Sequence, residues 1–202
     1  MTLSGRYVEL VPLDSSQVTA LHQAARDPEV SRYLVHPVGP SVDDVQRLVE
    51  ALLARQSSGS ELAFVTRRRT TGGLVGMTRF IHIDAENDSV EIGGTFLDSA
   101  YWRTPFNTDA KLAMLRFAFD EAAVHRVWLQ TDQRNVRSQA AIVRLGAVRE
   151  GIHREDRRLT TGFYRSSVVF SILASEWPEA RSKLEAVLER PWRSDRAPAA
   201  PG

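Results

Sequence analysis

With 202 residues and 43% hydrophobic content, the chain is long enough to bury one sizeable core. Its 26 basic and 25 acidic residues leave a formal net charge of +1, which argues against the one-sided basic surface of a non-specific nucleic-acid binder. The absence of cysteine excludes a disulfide framework, a thiolate nucleophile and a Cys-ligated metal, and fits a reducing compartment. The first ten residues lack an apolar leader core and no window approaches 18 apolar residues, so the expectation is a cytoplasmic protein with no membrane partner.

In chain order, residues 6–11 (RYVELV) alternate as a strand does, and residues 14–25 read as a helix capped by Asp14. Residues 40–54 predict a second helix, with Ser41 as cap, acidic residues in the first turn, and Val42, Val45, Leu48, Val49 and Leu52 on one face. Strands at 61–66, 73–83 and 89–97 are separated by TTGG (70–73) and DAEND (84–88), which predicts an antiparallel meander. A turn rich in aromatics, Pro and Asn (101–110, YWRTPFNTDA) runs into a helix. A strand at 126–131, a helix at 135–145 ending before Gly146, strands at 147–154 and 164–173, and a helix at 176–189 follow. The pattern predicts one α+β domain over 1–190 with a partly parallel centre, and a disordered tail over 191–202.

Three local features carry chemistry. Asn107, Thr108 and Asp109 offer a side-chain oxygen for a helix cap, and a helix start presents free N–H groups to an anion; an ordinary capped helix is the plainer reading. Gly93-Gly94 inside a strand predicts a bulge or a bend. Asn135 and Ser138, three apart, share a helix face, as a cap and a first-turn polar residue would. The five histidines have no metal-ligand spacing, so no metal is expected. Arg103, Arg134 and Arg137 are placed to meet phosphates, while Phe117, Phe119 and Trp128 read as core. The stripe Trp177, Leu184, Val187 and Leu188 would pack on the domain or on a second subunit in a homodimer.

Residues 90–94 (VEIGG), 101–110 and 131–151 (TDQRNVRSQAAIVRLGAVREG), in this order and spacing, resemble the GNAT superfamily of acetyl-CoA-dependent N-acetyltransferases, in the branch that includes the ribosomal-protein N-terminal acetyltransferases. The resemblance runs from 5–13 (GRYVELVPL) to 168–178 (VVFSILASEWP). It implies a mixed, mostly antiparallel central sheet flanked by helices and splayed between the fourth and fifth strands. It also implies acetyl-CoA as co-substrate, no metal, and an amine acceptor, either a protein N-terminus or a small molecule. Trp102, Arg103, Thr104, Phe106, Asn107 and Thr108 would hold the cofactor's diphosphate, with Pro105 and Asn107 standing where the family usually has glycines. In that variant loop Pro105 would supply rigidity, and Asn107 would cap the helix and take any unusual backbone conformation. Thr95, Phe96 and Leu97 would meet the cofactor's amide-bearing arm. Glu91 would accept the amine's proton and Asn135 would contact the arm. Ser138 would lie near the sulfur as proton donor or hold a water that is, since the tyrosine many relatives use is Ile142 here. Transfer would be direct, in a ternary complex. The alternative is a non-catalytic acyl-CoA-binding sensor or interaction module, or a structural domain that has lost the ligand.

Overall fold

The computed structural model describes residues 1–190 and Trp192. Apart from Trp192, the 191–202 tail lies outside the described residues, and with it the expectation that this segment is disordered. Trp192 sits edge-on against Phe106 and Tyr7, with ring centroids 5.7 and 6.4 Å apart.

The chain begins with β1 (Leu3–Ser4), β2 (Val8–Pro12), a 3-10 turn (Ser15–Gln17), α1 (Val18–Ala24), α2 (Pro28–Ser31) and α3 (Val42–Ser57). The meander follows as β3 (Leu62–Arg68), β4 (Leu74–Asp84) and β5 (Ser89–Leu97). Next come α4 (Phe106–Arg116), β6 (Arg126–Asp132), α5 (Val136–Val143), β7 (Val148–Arg158), β8 (Tyr164–Leu173) and α6 (Trp177–Glu189). The short β1 and the single-turn α2 are too brief to leave a periodic signal.

One eight-stranded sheet runs in the order β1-β2-β3-β4-β5-β6-β8-β7. Its neighbours are antiparallel except β5 and β6, which a crossover through α4 makes parallel. That parallel pairing covers only Ser89–Arg126, Val90–Val127 and Glu91–Trp128, after which the two strands part. The splay expected between the fourth and fifth strands is therefore present between β5 and β6, the unforeseen β1 having moved the count by one, and it begins at Glu91.

Each face of the sheet carries a hydrophobic core. Leu112, Met114, Leu115 and Leu184 of α4 and α6 cover one face, and Leu21, Val45, Val49 and Leu52 of α1 and α3 cover the other. Ser41 and Asp44 close a capping box at the start of α3, while Val42, the helix's first residue, is 43% exposed and not part of the buried stripe. On α6, Trp177, Ala180, Leu184 and Leu188 pack into the domain's own core and Val187 stays outside, so the predicted stripe serves the fold. Phe119 stacks on Trp177 at 5.3 Å, whose indole N–H donates to Asp120 at 2.6 Å.

A bulge in β5 sets which side chains face the gap. Met77 of β4 pairs with Phe96 and Arg79 with Gly93, so Gly94 and Thr95 together oppose Thr78. One extra residue reverses the alternation of faces: Val90 and Ile92 belong to the α4-side core, whereas Phe96 lies in the opposite core and Leu97 returns to the first. Glu91, between Val90 and Ile92, faces the other way by plain alternation, and the bulge beyond it brings Phe96 onto that same face.

Candidate active site

Where β5 and β6 part, a cavity of about 390 Å³ opens, within the size range of small-molecule sites. The starts of α4 and α5, the α2 segment and the ends of β7 and β8 border it.

Pro105, not Asn107, occupies the cap position of α4 and has no side-chain acceptor to offer; the Thr104 hydroxyl oxygen accepts only the Phe106 N–H, at 3.4 Å. Asn107 lies within the first turn of the helix. Proline is well suited to a helix start, because its fixed φ leads into the turn and the N–H it lacks would find no intrahelical partner there. The left-handed backbone falls on Arg103, at φ +62°, again not on Asn107. The first bond of the helix runs from the Asp109 N–H to the Pro105 carbonyl at 2.8 Å. The amides of Asn107 and Thr108 have no protein acceptor among the described residues, and both residues line the cavity. Asp109 anchors the turn from behind: its buried carboxylate accepts the N–H groups of Arg6, Tyr7 and Val8 at 2.9, 2.7 and 2.9 Å. Gly5 makes this approach possible, since a Cβ there would collide with the carboxylate.

Trp102, Arg103 and Thr104 border the same end of the cavity. The Trp102 indole donates to the Leu97 carbonyl at 2.9 Å, and the Thr104 hydroxyl to the Tyr101 carbonyl at 2.7 Å. The Arg137 guanidinium lies 3.4 Å from the centroid of the Trp102 ring, a cation stacked where the helix opens. Phe106 does not border the cavity: its ring is buried and stacks on Tyr101 at 5.2 Å, leaving only backbone to meet a ligand. Arg134 is committed elsewhere, bound through two nitrogens to Asp132 at 2.9 and 2.6 Å and lying over Phe163.

The two glycines of β5 each have a separate cause. Gly94 takes φ +55°, and a Cβ there would collide with the Arg79 guanidinium, which lies across the bulge. Gly93 leaves room for the Glu91 carboxylate, 2.8 Å from where its Cβ would be. Beyond the bulge, Thr95, Phe96 and Leu97 border the cavity. The sequence reading missed Lys111, four residues after Asn107 on α4. Its fully buried amine donates to the Thr78 and Thr95 hydroxyls at 2.7 and 2.6 Å, tying α4 to the bulge. Burial lowers its pKa to about 7. A lysine amid the buried Leu112, Ala113, Met114 and Leu115 was the available signal.

Glu91 is buried. Burial raises its carboxyl pKa, against the lowering effect of the hydrogen bond from His82. The carboxylate pairs with His82 Nδ1 at 2.7 Å and accepts a longer bond from the Gln130 amide at 3.4 Å. The His82 side chain is 55% exposed against 3% for Glu91, so the imidazole joins a dry carboxylate to bulk water. Across the gap, Asn135 caps α5 and accepts the Ser138 N–H at 3.0 Å. The Ser138 hydroxyl has no protein partner among the described residues, and Ile142 borders the cavity beside it.

An open helix start, parted strands and a buried carboxylate at the point of parting thus lie around one cavity. Residues 8–148 match the family described as Acetyltransferase (GNAT) domain. The chain belongs to the GNAT acetyltransferase family. A solved structure from T. thermophilus, provisionally assigned as an acetyltransferase, is 36% identical with a TM-score of 0.85, and the likeness covers 93% of this chain and 96% of that one. RimJ of Mycobacterium smegmatis, solved in complex with CoA-disulfide, shares the fold at a TM-score of 0.82 and 21% identity over 96% of this chain and 97% of that one. The Bacillus licheniformis protein p20, an uncharacterised N-acetyltransferase, is 23% identical over 176 residues, 87% of this chain and 98% of its own.

The far side of the acetyltransferase's cavity is strongly charged, and no local sequence pattern marks it. Glu61 lies between Arg55 and Arg79, at 3.1 and 2.5 Å. His36 stands close by, its pKa lowered by burial and then by Arg55 and Arg79. Arg157 and Arg165 complete this wall. Among the described residues, no group of three or more His, Asp or Glu side chains could hold a metal, and no helix is long and apolar enough to cross a membrane.

Proposed function

We propose that this acetyltransferase binds acetyl-CoA and a primary amine together and transfers the acetyl group by direct attack, the acceptor being a protein N-terminus or a small amine. The observation that carries the reading is the uncapped start of α4 opening onto the gap that begins at Glu91. The residues present suit the cofactor: free amides and a helix dipole for a diphosphate, Arg137 beside them, and unpaired strand edges for an amide-bearing arm. Acetyl-CoA, when bound, supplies the acyl carbon and a thiolate leaving group.

Glu91 accepts a proton from the ammonium group, directly or through water, and His82 passes it to solvent. The freed lone pair forms the new C–N bond while the carbonyl π pair moves onto oxygen, where a β5 amide beside the bulge stabilises it. As the C–S bond breaks, its electron pair leaves with sulfur, and the Ser138 hydroxyl or a water held by it supplies the proton. Asn135, its side-chain oxygen engaged in the cap, keeps an NH₂ group for the cofactor arm.

Two measurements test the reading. Acetyl-CoA at a hundred times its Kd should stabilise the folded chain by about 2.7 kcal/mol, and no rise in melting temperature at millimolar ligand would contradict it. Thiol release across a panel of amines and peptides should exceed background for at least one acceptor. For that acceptor, Glu91→Gln should lower kcat/KM by about 10²-fold or more. The acidic limb of the parent's pH profile, displaced above the ordinary glutamate range, should vanish with it. A profile identical to the parent's would remove Glu91 as the base.

A further inference from the structure

Arg157 of β7 and Arg165 of β8 stand directly opposite one another in the antiparallel register. Cross-strand partners project from the same face, and like charges in that position repel. Both side chains border the cavity. The arrangement also required irregular backbone: β7 bulges between His153 and Arg157, and Glu155 within the bulge takes φ +51°. Bulges of this kind re-aim side chains beside sites.

Arg165 is 5% exposed and forms no ion pair among the described residues. It spends one N–H on the Ser167 hydroxyl and one on the Tyr33 carbonyl, both at 3.2 Å, leaving three of its five donors. The neighbouring acids act on Arg165 only from a distance, none of them within ion-pair range of it. Asp132 is bound by Arg134, and Asp156 reaches only Arg157, at 3.7 Å. A buried guanidinium with no acid in contact is costly unless an anion arrives to meet it. Both arginines also act electrostatically on Glu91, the residue at which the amine must lose its proton.

From this geometry we infer that the acceptor carries a carboxylate together with its amine, the carboxylate lying between Arg157 and Arg165 while the amine faces Glu91. Such an acceptor is a small amino-acid-like zwitterion. A peptide presents a neutral amide where the carboxylate would be, and leaves both guanidinium groups unmatched. The inference rests on the amine-acetyltransferase reading and narrows its acceptor.

The test compares the common L-amino acids with their amides, and with a short peptide amide, by thiol release from acetyl-CoA. For at least one side chain, the parent should favour the free acid over the amide by at least about tenfold in kcat/KM, the scale of a hydrogen-bonded charge pair. Arg157→Gln, at an exposed position with a single distant partner, should lower that acid-to-amide ratio about tenfold, and Arg165→Gln should lower it further. Arg165→Lys should restore part of it. Amides or the peptide turned over as well as the acids, with the ratio unmoved by either substitution, would overturn the carboxylate site and leave acetyl transfer standing. Should no amine release thiol, the acetyl-transfer reading falls, and the melting temperature with CoA judges the site. N-acetyl amino acids must then stabilise the parent more than their amides do, and lose that advantage in Arg157→Gln. Equal shifts would overturn the site as well.

Discussion

Two helices begin on the same cavity and treat their first amides in opposite ways. At the start of α5 the Asn135 side chain folds over and satisfies the Ser138 N–H. At the start of α4 no side chain reaches the Asn107 and Thr108 amides, and both residues border the cavity. An uncapped start costs about 1 kcal/mol relative to a good cap, a deficit that persists only where other contacts hold the helix. For α4 those contacts come from behind and below, through the Asp109 carboxylate and the Lys111 amine. The lesson is that a helix can be fixed through its flank so that its end stays free for a ligand.

The largest expected effect is on the anchor. Asp109→Ala removes a carboxylate holding three backbone N–H groups, and should cost about 3 kcal/mol or more of stability in urea unfolding. A loss below about 1 kcal/mol would mean that α4 is held elsewhere. Next comes an artificial cap. Pro105→Asp places an acceptor on the open amides and should raise the Kd for acetyl-CoA about 30-fold or more while leaving the melting temperature unchanged or higher, as titration calorimetry and thermal melts would show. An unchanged Kd would show that those amides do not bind the cofactor.

Lys111 gives a pH signature. Folding lowers its pKa from 10.5 to about 7. Between those values the unfolded chain holds a proton that the folded chain does not, so the lysine's cost is complete below pH 7 and diminishes as pH rises. Lys111→Met should therefore show its greatest gain over the parent below pH 7. That gain should shrink by about 1.4 kcal/mol per pH unit across pH 7 to 9 in denaturant titrations. A constant difference would place the charge on the folded lysine throughout. The smallest effect is Asn135→Ala, about 1 kcal/mol for an ordinary cap. A larger fall in turnover than in stability would add the expected contact with the cofactor arm.

The sequence predicted most of what depends on local pattern. Alternation and turn residues located the long strands, and Gly93-Gly94 marked the place of the bulge, a bend being the other reading. The cap was misplaced by two residues because asparagine is the better intrinsic cap. Asp109, bonded to residues a hundred positions earlier, decided otherwise. Val42 fitted the apolar period but stands at a helix end beyond the core. The charged wall could not be read from any window. Arg165 meets the Tyr33 carbonyl across 132 residues, and its facing of Arg157 depends on a bulge with no glycine or proline within it.

The most direct measurement is a crystal structure with CoA bound. A diphosphate oxygen should lie about 2.9 Å from the Asn107 and Thr108 nitrogens, with the arm passing between β5 and β6. A nucleotide bound anywhere else, with those two amides still unmet or covered by the protein's own side chains, would contradict it.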